Sequence, residues 1–364
     1  MTEGEGRTEA AHIPPWTWVA PLAGWVLLGL WAAGLDHGWL AALRGVLLIA
    51  SVLAAVHHAE VVAERVGEPF GTLLLALAVT AMEVALIVSL SLKGQSTLAR
   101  DTVFATIMLI LNGMVGLCLL LGASRHREQY FSLYGVNATL AALAAISVIT
   151  LVLPNTTTTT PGPYYSQSQL AFVGCVSLVL YGVFVLVQTV RHRDYFLTQP
   201  APGSAQPIPH VASTRVVAAS AVLALVSLAA VILLAKSLGE ALEAGVAAIG
   251  APAALVGIII AAIVLLPEGL AAIRAARANR LQTSLNLALG SAMASIGLTI
   301  PAVAAVAIAT HWPLALGLNH GDTVLLALTL LTATLSLGTG RTTVLQGAVH
   351  LVIFGVYLFT TIVP

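Results

Sequence analysis

Long apolar runs separated by short polar connections extend over almost the whole chain. A membrane-spanning helix needs about 20 consecutive, mainly apolar residues. Eleven runs approach or exceed this length, at about 17–34, 39–64, 71–92, 102–122, 133–153, 169–190, 214–236, 251–273, 282–309, 321–338 and 342–362. The longer connections 154–168 and 198–210 contain several threonines or prolines and are predicted to be irregular. The pattern predicts an all-α integral membrane protein with about eleven transmembrane helices and no soluble domain.

The amino-acid composition supports a membrane location and excludes one class of partner. Of the 364 residues, 59% are hydrophobic and only 8% are charged, whereas a soluble domain carries about 25% charged residues. The formal net charge is zero, so nucleic acid is not an expected partner, while the lipid bilayer is. Residues 1–16 are polar and acidic, unlike the basic start of a cleaved signal peptide.

The distribution of lysine and arginine predicts the orientation, because these residues favour cytoplasmic connections. With eleven spans, the N-terminus and the even-numbered connections with their flanks share one side of the membrane. That side carries Arg7, Arg65, Arg125, Arg127, Arg191, Arg193, Arg215, Arg274, Arg277, Arg280 and Arg341. The other side carries Arg44, Lys93, Arg100 and Lys236. We therefore expect a cytoplasmic N-terminus and an external C-terminus.

The two halves of the sequence resemble each other at a shift of 185 residues. This shift aligns Ala76 with Ala261, Val79 with Val264, Glu83 with Glu268, Asp101 with Asn286, Thr106 with Ser291 and Met108 with Met293. We therefore divide the chain into a cytoplasmic tail (1–16), an extra first helix (17–34), a first repeat of helices 2–6 (39–190), a cytoplasmic connector (191–213) and a second repeat of helices 7–11 (214–362). Because five helices is an odd number, the second repeat must be inverted, as is typical of secondary transporters.

The two aligned glutamates, Glu83 and Glu268, are the main candidates for functional chemistry. Each lies well inside an apolar run, where an isolated carboxylate is costly and needs a partner or a proton. Together they neutralise one divalent cation or two protons, and oxygen ligands without thiolates favour a hard ion such as Ca²⁺ or Na⁺. Because a carboxylate in a low-dielectric environment also binds protons readily, cations and protons are expected to compete for this pair. The structural alternative is a protonated or hydrogen-bonded glutamate that holds helices together.

Additional oxygen ligands are required, because Ca²⁺ prefers six to eight. The polar candidates near the glutamates in sequence are Asp101, Asn112, Asn286, Ser291 and Ser295. The alternative for each is an ordinary hydrogen bond between helices. Pro267 directly precedes Glu268 and is expected to break the helix there, which frees a backbone carbonyl near the site.

The second span carries an unusual polar stretch, with His57 and His58 followed by Glu60 and Glu64. We interpret His57, Glu60 and Glu64 as a candidate gate or access path for protons or cations. The alternative is the water-lined end of a helix. The stretch lacks two histidines four residues apart around a glutamate, so it is not a zinc-protease motif.

At these positions the sequence resembles the calcium/proton exchanger branch of the calcium/cation antiporter superfamily, and most closely the bacterial ChaA-type calcium(sodium, potassium)/proton antiporters. The family's first signature is matched by Ala59, Glu60, Ala63, Arg65, Gly67, Glu68, Gly71, Leu73, Leu74, Ala76, Ala81 and Glu83. The second is matched by Ala235, Leu238, Gly250, Val256, Gly257 and Glu268, and a following G-S-x-x-S element by Gly290, Ser291 and Ser295. The resemblance implies a pseudosymmetric eleven-span fold in a bacterial plasma (inner) membrane, and export of Ca²⁺, with Na⁺ and K⁺, in exchange for H⁺.

The chain also departs from the family pattern. Thr80 replaces an asparagine in the first signature, and Leu265, Leu266 and Pro267 replace the residues before the second glutamate. Lys236 stands where the family has a second acidic gate residue. Fewer oxygen ligands make monovalent cations better substrates, and we hypothesise that Lys236 acts as a built-in positive charge near Glu268.

Three other functions compete with proton-coupled antiport as interpretations of the sequence. A passive channel would not need one carboxylate in each repeat. A membrane enzyme would need a constellation such as G-x-S-x-G or H-E-x-x-H, which the sequence lacks. Sodium/calcium exchange on the same fold stays open. We expect no cofactor, because no phosphate-binding glycine-rich loop is present, and exposed apolar helices suit either a monomer or a homo-oligomer.

Overall fold

A computed structural model describes residues 13–35, 38–67, 70–91, 96–196, 213–252 and 254–363. Within these ranges the α-helices are α1 (Trp16–Ala32), α2 (Gly38–Val66), α3 (Phe70–Ser91), α4 (Leu98–Met108), α5 (Val115–His126), α6 (Leu133–Ser147), α7 (Gln167–Leu186), α8 (Thr214–Ala248), α9 (Ala254–Val264), α10 (Leu266–Arg277), α11 (Leu281–Thr310), α12 (His320–Leu337) and α13 (Val344–Ile362). Two short strands, β1 (Gln129–Tyr130) and β2 (Arg341–Thr342), form an antiparallel pair. Most of the predicted tail 1–16 and of the connector 191–213 lies outside the described residues.

Three helices continue into π-helical segments, in which the backbone hydrogen bond reaches one residue further than in an α-helix. These segments are Leu109–Met114 between α4 and α5, Val148–Val152 after α6 and Val187–Arg191 after α7. The 3₁₀ turns Leu153–Thr156 and Arg193–Tyr195 follow the second and third segments closely. The α4–α5 span therefore runs continuously from Leu98 to His126.

The described helices confirm the prediction of an all-α membrane protein. Eight helices are long and apolar enough to cross a membrane, and the pair α9 and α10, bent by 58° at a break, makes a ninth if it is one span. Two shorter apolar segments, Trp16–Ala32 (α1) and Ala76–Val88 within α3, would bring the total to eleven if both crossed the membrane as well. The count of eleven stays a prediction.

The seventh apolar run, predicted at about 214–236, corresponds to the candidate membrane span Thr214–Gly239, and the helix that carries it continues further. This helix, α8, ends at Ala248. The sequence after the apolar run is rich in alanine, leucine and glutamate, which have high helix propensity and do not require an apolar environment. The helix therefore continues beyond the segment that hydropathy alone can identify.

The chain divides into two compact units. The first contains residues 1–78 and 200–238, and the second contains residues 79–199 and 239–364. In the first unit α1 packs against α2 and α8. The indole Nε1 of Trp25 donates to the carbonyl of Val226 at 3.3 Å, and a Cβ on Gly24 would lie 3.0 Å from the side chain of Leu234.

The span Leu98–His126 and α11 form the centre of the second unit. Burial covers 83% of the apolar window of the first and 61% of the second, against 44% or less in the other six long helices. Helix α11 packs on α6, α7 and α10, and α5 packs on α13 and α10. Helix α4 packs on α9, where a Cβ on Gly257 would lie 3.3 Å from the backbone nitrogen of Thr102. These two central helices position the candidate site.

Candidate ion-binding site

The carboxylate of Glu83 is buried, with 4% of the residue exposed, and three hydroxyl groups surround it. Ser295 Oγ lies 2.7 Å from Oε1 and 2.6 Å from Oε2. Thr106 Oγ1 donates to Oε1 at 3.4 Å, and Thr299 Oγ1 donates to Oε2 at 3.1 Å. Hydrogen bonds to an ionised acceptor are stronger than those between neutral groups, so this arrangement stabilises a charge that would be costly in an apolar environment.

The three donors come from the two central helices. Thr106 lies in the last turn of α4, three residues before the π-helical segment Leu109–Met114. Ser295 and Thr299 are four residues apart on α11, and this spacing places both hydroxyls on one face of the helix. Glu83 therefore connects α3 to both α4 and α11.

Glu268 lies in the first turn of α10, directly after the break between α9 and α10. The prediction that Pro267 breaks the helix is confirmed by the 58° bend. The residue is half-buried. The first turn of a helix presents unpaired backbone N–H groups and the positive end of the helix dipole, and both favour a carboxylate at this place.

Both glutamate-bearing elements are linked to the Leu98–His126 span. Thr106 of this span donates to Glu83. Gly269, the residue after Glu268, packs against the π-helical segment, because a Cβ at this position would lie 3.4 Å from Cε of Met114. A change in the geometry of this single span would therefore reach the surroundings of both carboxylates.

Of the predicted supporting residues, Ser295 contacts Glu83, and Ser291 lies half-buried one turn earlier on α11. The structure does not bring the other three to Glu83: its hydrogen bonds within the described residues come from Thr106, Ser295 and Thr299.

Asp101, Asn112 and Asn286 have polar partners other than Glu83. Asp101 pairs with Arg100 at 2.7 Å. Asn286 accepts from Gln282 at 2.8 Å and donates to the carbonyl of Phe196. Asn112 donates to Thr329 Oγ1 at 2.8 Å. Of these contacts, only that between Asn112 and Thr329 joins two spans, and a ligand role for Asp101, Asn112 and Asn286 stays a prediction.

The predicted gate residues lie in the first unit. Glu60 and Glu64 are exposed on α2, and Lys236 is exposed on α8. The ring of His57 lies 5.9 Å from that of Trp16, while His58 is buried with Nε2 3.3 Å from the carbonyl oxygen of Thr17. A role in gating for His57, Glu60, Glu64 and Lys236 stays a prediction.

Sequence reasoning missed Thr299 as a contact of Glu83 and also missed His350. Thr106 was noticed only as the repeat partner of Ser291. Thr299 lies one helical turn after Ser295, a spacing that could have indicated it. Among the described residues no group of three or more histidine, cysteine, aspartate or glutamate side chains is arranged to hold a metal ion.

Comparison with known proteins identifies the family. The sequence matches the family described as "Sodium/calcium exchanger protein" twice, over residues 37–190 and 219–363. It is 50% identical to y4hA of Sinorhizobium fredii (strain NBRC 101917 / NGR234), a candidate ionic transporter, over 98% of this chain and 99% of that protein. It is 36% identical to the sodium-potassium/proton antiporter ChaA of Escherichia coli (strain K12), over 94% of each chain. The fold is similar to that of the Ca²⁺/H⁺ antiporter YfkE, with a TM-score of 0.74, 17% identity and coverage of 96% of this chain and 100% of that chain. As the sequence resemblance predicted, the chain belongs to the sodium/calcium exchanger protein family.

Proposed function

We propose that this protein is a secondary active antiporter that exports Na⁺, K⁺ and Ca²⁺ in exchange for H⁺, by alternating access at a site formed around Glu83 and Glu268. The observation that carries the proposal is the buried carboxylate of Glu83, contacted by hydroxyls of Thr106, Ser295 and Thr299. An ionisable residue inside a membrane is a strong indicator of an ion or proton pathway.

The hydroxyl groups suit a site that alternates between two occupants. A serine or threonine hydroxyl can donate one hydrogen bond and accept others. Without a cation, the hydroxyls donate to the carboxylate of Glu83. When a cation binds, the same oxygens can turn their lone pairs towards it, and when a proton binds, the carboxyl group itself becomes a donor. Cation and proton then exclude each other at one site, which is the requirement for exchange.

The arrangement of the central helices supports alternating access. Glu83 of the first predicted repeat is bound by Ser295 and Thr299 of the second, and α9, which precedes Glu268, packs against α4 of the first. The family sequence also matches each half of the chain separately. Such reciprocal packing is expected of inverted repeats whose relative motion exposes a central site to either side.

The ligand set supports monovalent cations as substrates beside Ca²⁺. Ca²⁺ prefers six to eight oxygens, whereas the hydrogen-bond partners of Glu83 in the described part of the chain are three hydroxyls. The relative from Escherichia coli is named a sodium-potassium/proton antiporter, and YfkE is named a Ca²⁺/H⁺ antiporter. We therefore include Na⁺, K⁺ and Ca²⁺ as substrates in the proposal. The proposed location is a bacterial inner membrane, with the N-terminus on the cytoplasmic side.

The proposal is tested with purified protein in liposomes that have an acidic interior. Uptake of Na⁺, K⁺ and Ca²⁺ is followed together with internal pH for the wild type, Glu83→Gln and Glu268→Gln. Glu128→Gln is a matched control, because Glu128 is an exposed carboxylate outside these helices, 3.9 Å from Arg341.

We expect cation uptake that alkalinises the interior in the wild type and the control, and loss of both signals in the other two variants. Cation flux that is independent of the pH gradient would favour a channel. Ca²⁺ uptake driven only by an outward Na⁺ gradient would favour sodium/calcium exchange. Either result would overturn the proposal.

A further inference from the structure

A second buried polar cluster lies in the same compact unit and includes none of the residues whose hydroxyls contact Glu83. Its centre is His350, a fully buried residue on the membrane-spanning helix α13. The Nδ1 atom of His350 lies 3.1 Å from Oδ1 of Asn112, and Nε2 lies 2.7 Å from Oγ of Ser336. Asn112 belongs to the π-helical segment Leu109–Met114, and Ser336 belongs to α12. Polar groups buried at membrane depth are costly unless they are paired, so a specific function should favour their presence.

The direction of the hydrogen bond between His350 and Asn112 is determined by the partners of Asn112. Because the amide nitrogen of Asn112 donates to Thr329 Oγ1 at 2.8 Å, its Oδ1 is left as the acceptor for Nδ1–H of His350. The hydroxyl of Ser336 lies 2.7 Å from Nε2 of His350 and 3.3 Å from the carbonyl oxygen of Ala333. The bond to Asn112 is therefore the one that connects the ring to the π-helical segment.

The cluster holds the π-helical segment in place. His350 contacts Asn112 of this segment, and Asn112 in turn donates to Thr329 of α12. A π-helical turn contains about one more residue than an α-helical turn, and one residue corresponds to a rotation of about 100°. The segment therefore sets the rotation of α4 relative to α5.

This rotation determines whether one span can make two contacts at once. On α5, Gly116 packs so tightly on α13 that a Cβ there would lie 3.0 Å from Cβ of His350. On α4, Thr106 must face Glu83. If the span were a regular α-helix, the face of α4 that carries Thr106 would be rotated by about 100° relative to the face of α5 that carries Gly116, compared with the present structure. Thr106 would then turn away from Glu83 whenever Gly116 stayed against α13.

We propose that His350 is a positioning residue for the exchange site: through Asn112 it stabilises the π-helical segment Leu109–Met114, which directs Thr106 towards Glu83 and packs against Gly269 beside Glu268. The inference deepens the proposed function and rests on the same site. It assigns His350 an effect on cation affinity although it makes no contact with the carboxylate.

Two substitutions separate the two hydrogen bonds of the ring. In His350→Asn the side-chain amide nitrogen occupies about the position of Nδ1 and can still donate to Asn112. In His350→Gln the amide reaches about as far as Nε2 and retains only the partner Ser336. Ser336→Ala is the matched control, because it removes that partner and leaves the bond to Asn112 intact.

The readout is the concentration of Na⁺ or Ca²⁺ that gives half of the maximal thermal stabilisation of the detergent-solubilised protein, because a ligand that binds the folded state raises its stability. We expect half-saturating concentrations close to wild type for His350→Asn and Ser336→Ala. For His350→Gln we expect an increase of about tenfold, because Thr106 would lose its hydrogen bond to the charged carboxylate of Glu83. Equal values for His350→Asn and His350→Gln would overturn the inference, because a merely structural role would not distinguish them.

A second variant decides the matter if His350→Gln does not fold. Thr329→Val removes the outer hydrogen bond of Asn112 and the weak contact of Thr329 Oγ1 with Sδ of Met108. We expect a smaller increase in the half-saturating cation concentration; an unchanged value would overturn the inference. Cation binding is measured without a proton gradient, whereas the proposed function is tested by exchange in liposomes. Failure of proton coupling and failure of the positioning role are therefore separate results.

Discussion

Ser295 on α11 and Glu83 on α3 are 212 residues apart in sequence, yet the hydroxyl of Ser295 lies 2.7 and 2.6 Å from the two carboxylate oxygens. This contact joins the two halves of the chain at the deepest charged group described in the second unit. It also makes Ser295 the hydroxyl best placed to contact the carboxylate of Glu83 both when no cation is bound and when a cation is bound.

Ser295→Ala should weaken cation binding and favour the proton. The variant removes the hydroxyl that lies closest to the charged carboxylate, and we expect a rise of about tenfold in the half-saturating cation concentration. Because hydroxyl donors favour the charged form of a carboxylate, inhibition of cation uptake by protons should also begin at a higher external pH.

The pH dependence of uptake into liposomes measures both effects of Ser295→Ala. Thr310→Ala is the control on the same helix, since the hydroxyl of Thr310 donates to the carbonyl of Val306 at 2.8 Å. Unchanged affinity and pH dependence in Ser295→Ala would show that this hydroxyl is not part of the site.

The sequence was sufficient to indicate the two glutamates and Ser295, because charged and polar residues in apolar runs are rare and therefore informative. It did not separate Ser295 from Asn112 or Asn286, which are also polar residues within apolar runs. The difference depends on the direction of each side chain around its helix. For Asn112 that direction is set within the π-helical segment Leu109–Met114, for which hydropathy gives no signal.

Pro267→Ala should reduce transport while the protein still folds. Proline has no backbone N–H, so the break before Glu268 leaves a carbonyl of the preceding turn without its helical partner. Alanine would allow α9 and α10, now bent by 58°, to continue as one helix and would move Glu268 away from the break. We expect exchange to fall by about tenfold or more, in line with the effect of small misplacements at such sites.

The initial rate of pH-driven uptake measures this effect of Pro267→Ala. Pro21→Ala is the control, because Pro21 lies inside α1 of the first unit, away from both glutamates in sequence. Full activity of Pro267→Ala would contradict a functional role for the break.

The fold class followed from hydropathy because the apolar runs are long and their connections short. The ends of the helices did not follow from hydropathy. Helix α8, for example, extends to Ala248 through residues that favour a helix without being strongly apolar. Hydropathy identifies where a helix meets lipid, whereas hydrogen bonding and propensity decide where it ends.

Lys236→Glu should shift substrate preference towards Ca²⁺. An added carboxylate supplies the oxygen ligands and negative charge that a divalent cation prefers, and it removes a positive charge from α8. The ratio of Ca²⁺ to K⁺ uptake under the same pH gradient measures the preference, with Lys236→Arg as the charge-conserving control. The same ratio in all three proteins would contradict a role for Lys236 in selectivity.

Gly347→Ala should destabilise the packing of α13 on α5. A Cβ at Gly347 would lie 2.5 Å from the backbone nitrogen of Leu120 and 2.9 Å from the carbonyl oxygen of Gly116, and neither backbone atom can rotate away. Overpacking of this kind costs about 1–3 kcal/mol, so we expect a lower melting temperature in detergent.

Gly355→Ala on the same helix is the matched control, because nothing lies within 4 Å of its added Cβ and alanine favours a helix more than glycine does. Its melting temperature should equal or exceed that of the wild type. If both variants melted alike, α13 would not approach α5 as closely as the structure describes, and the contact that holds His350 beside the π-helical segment would lose its support.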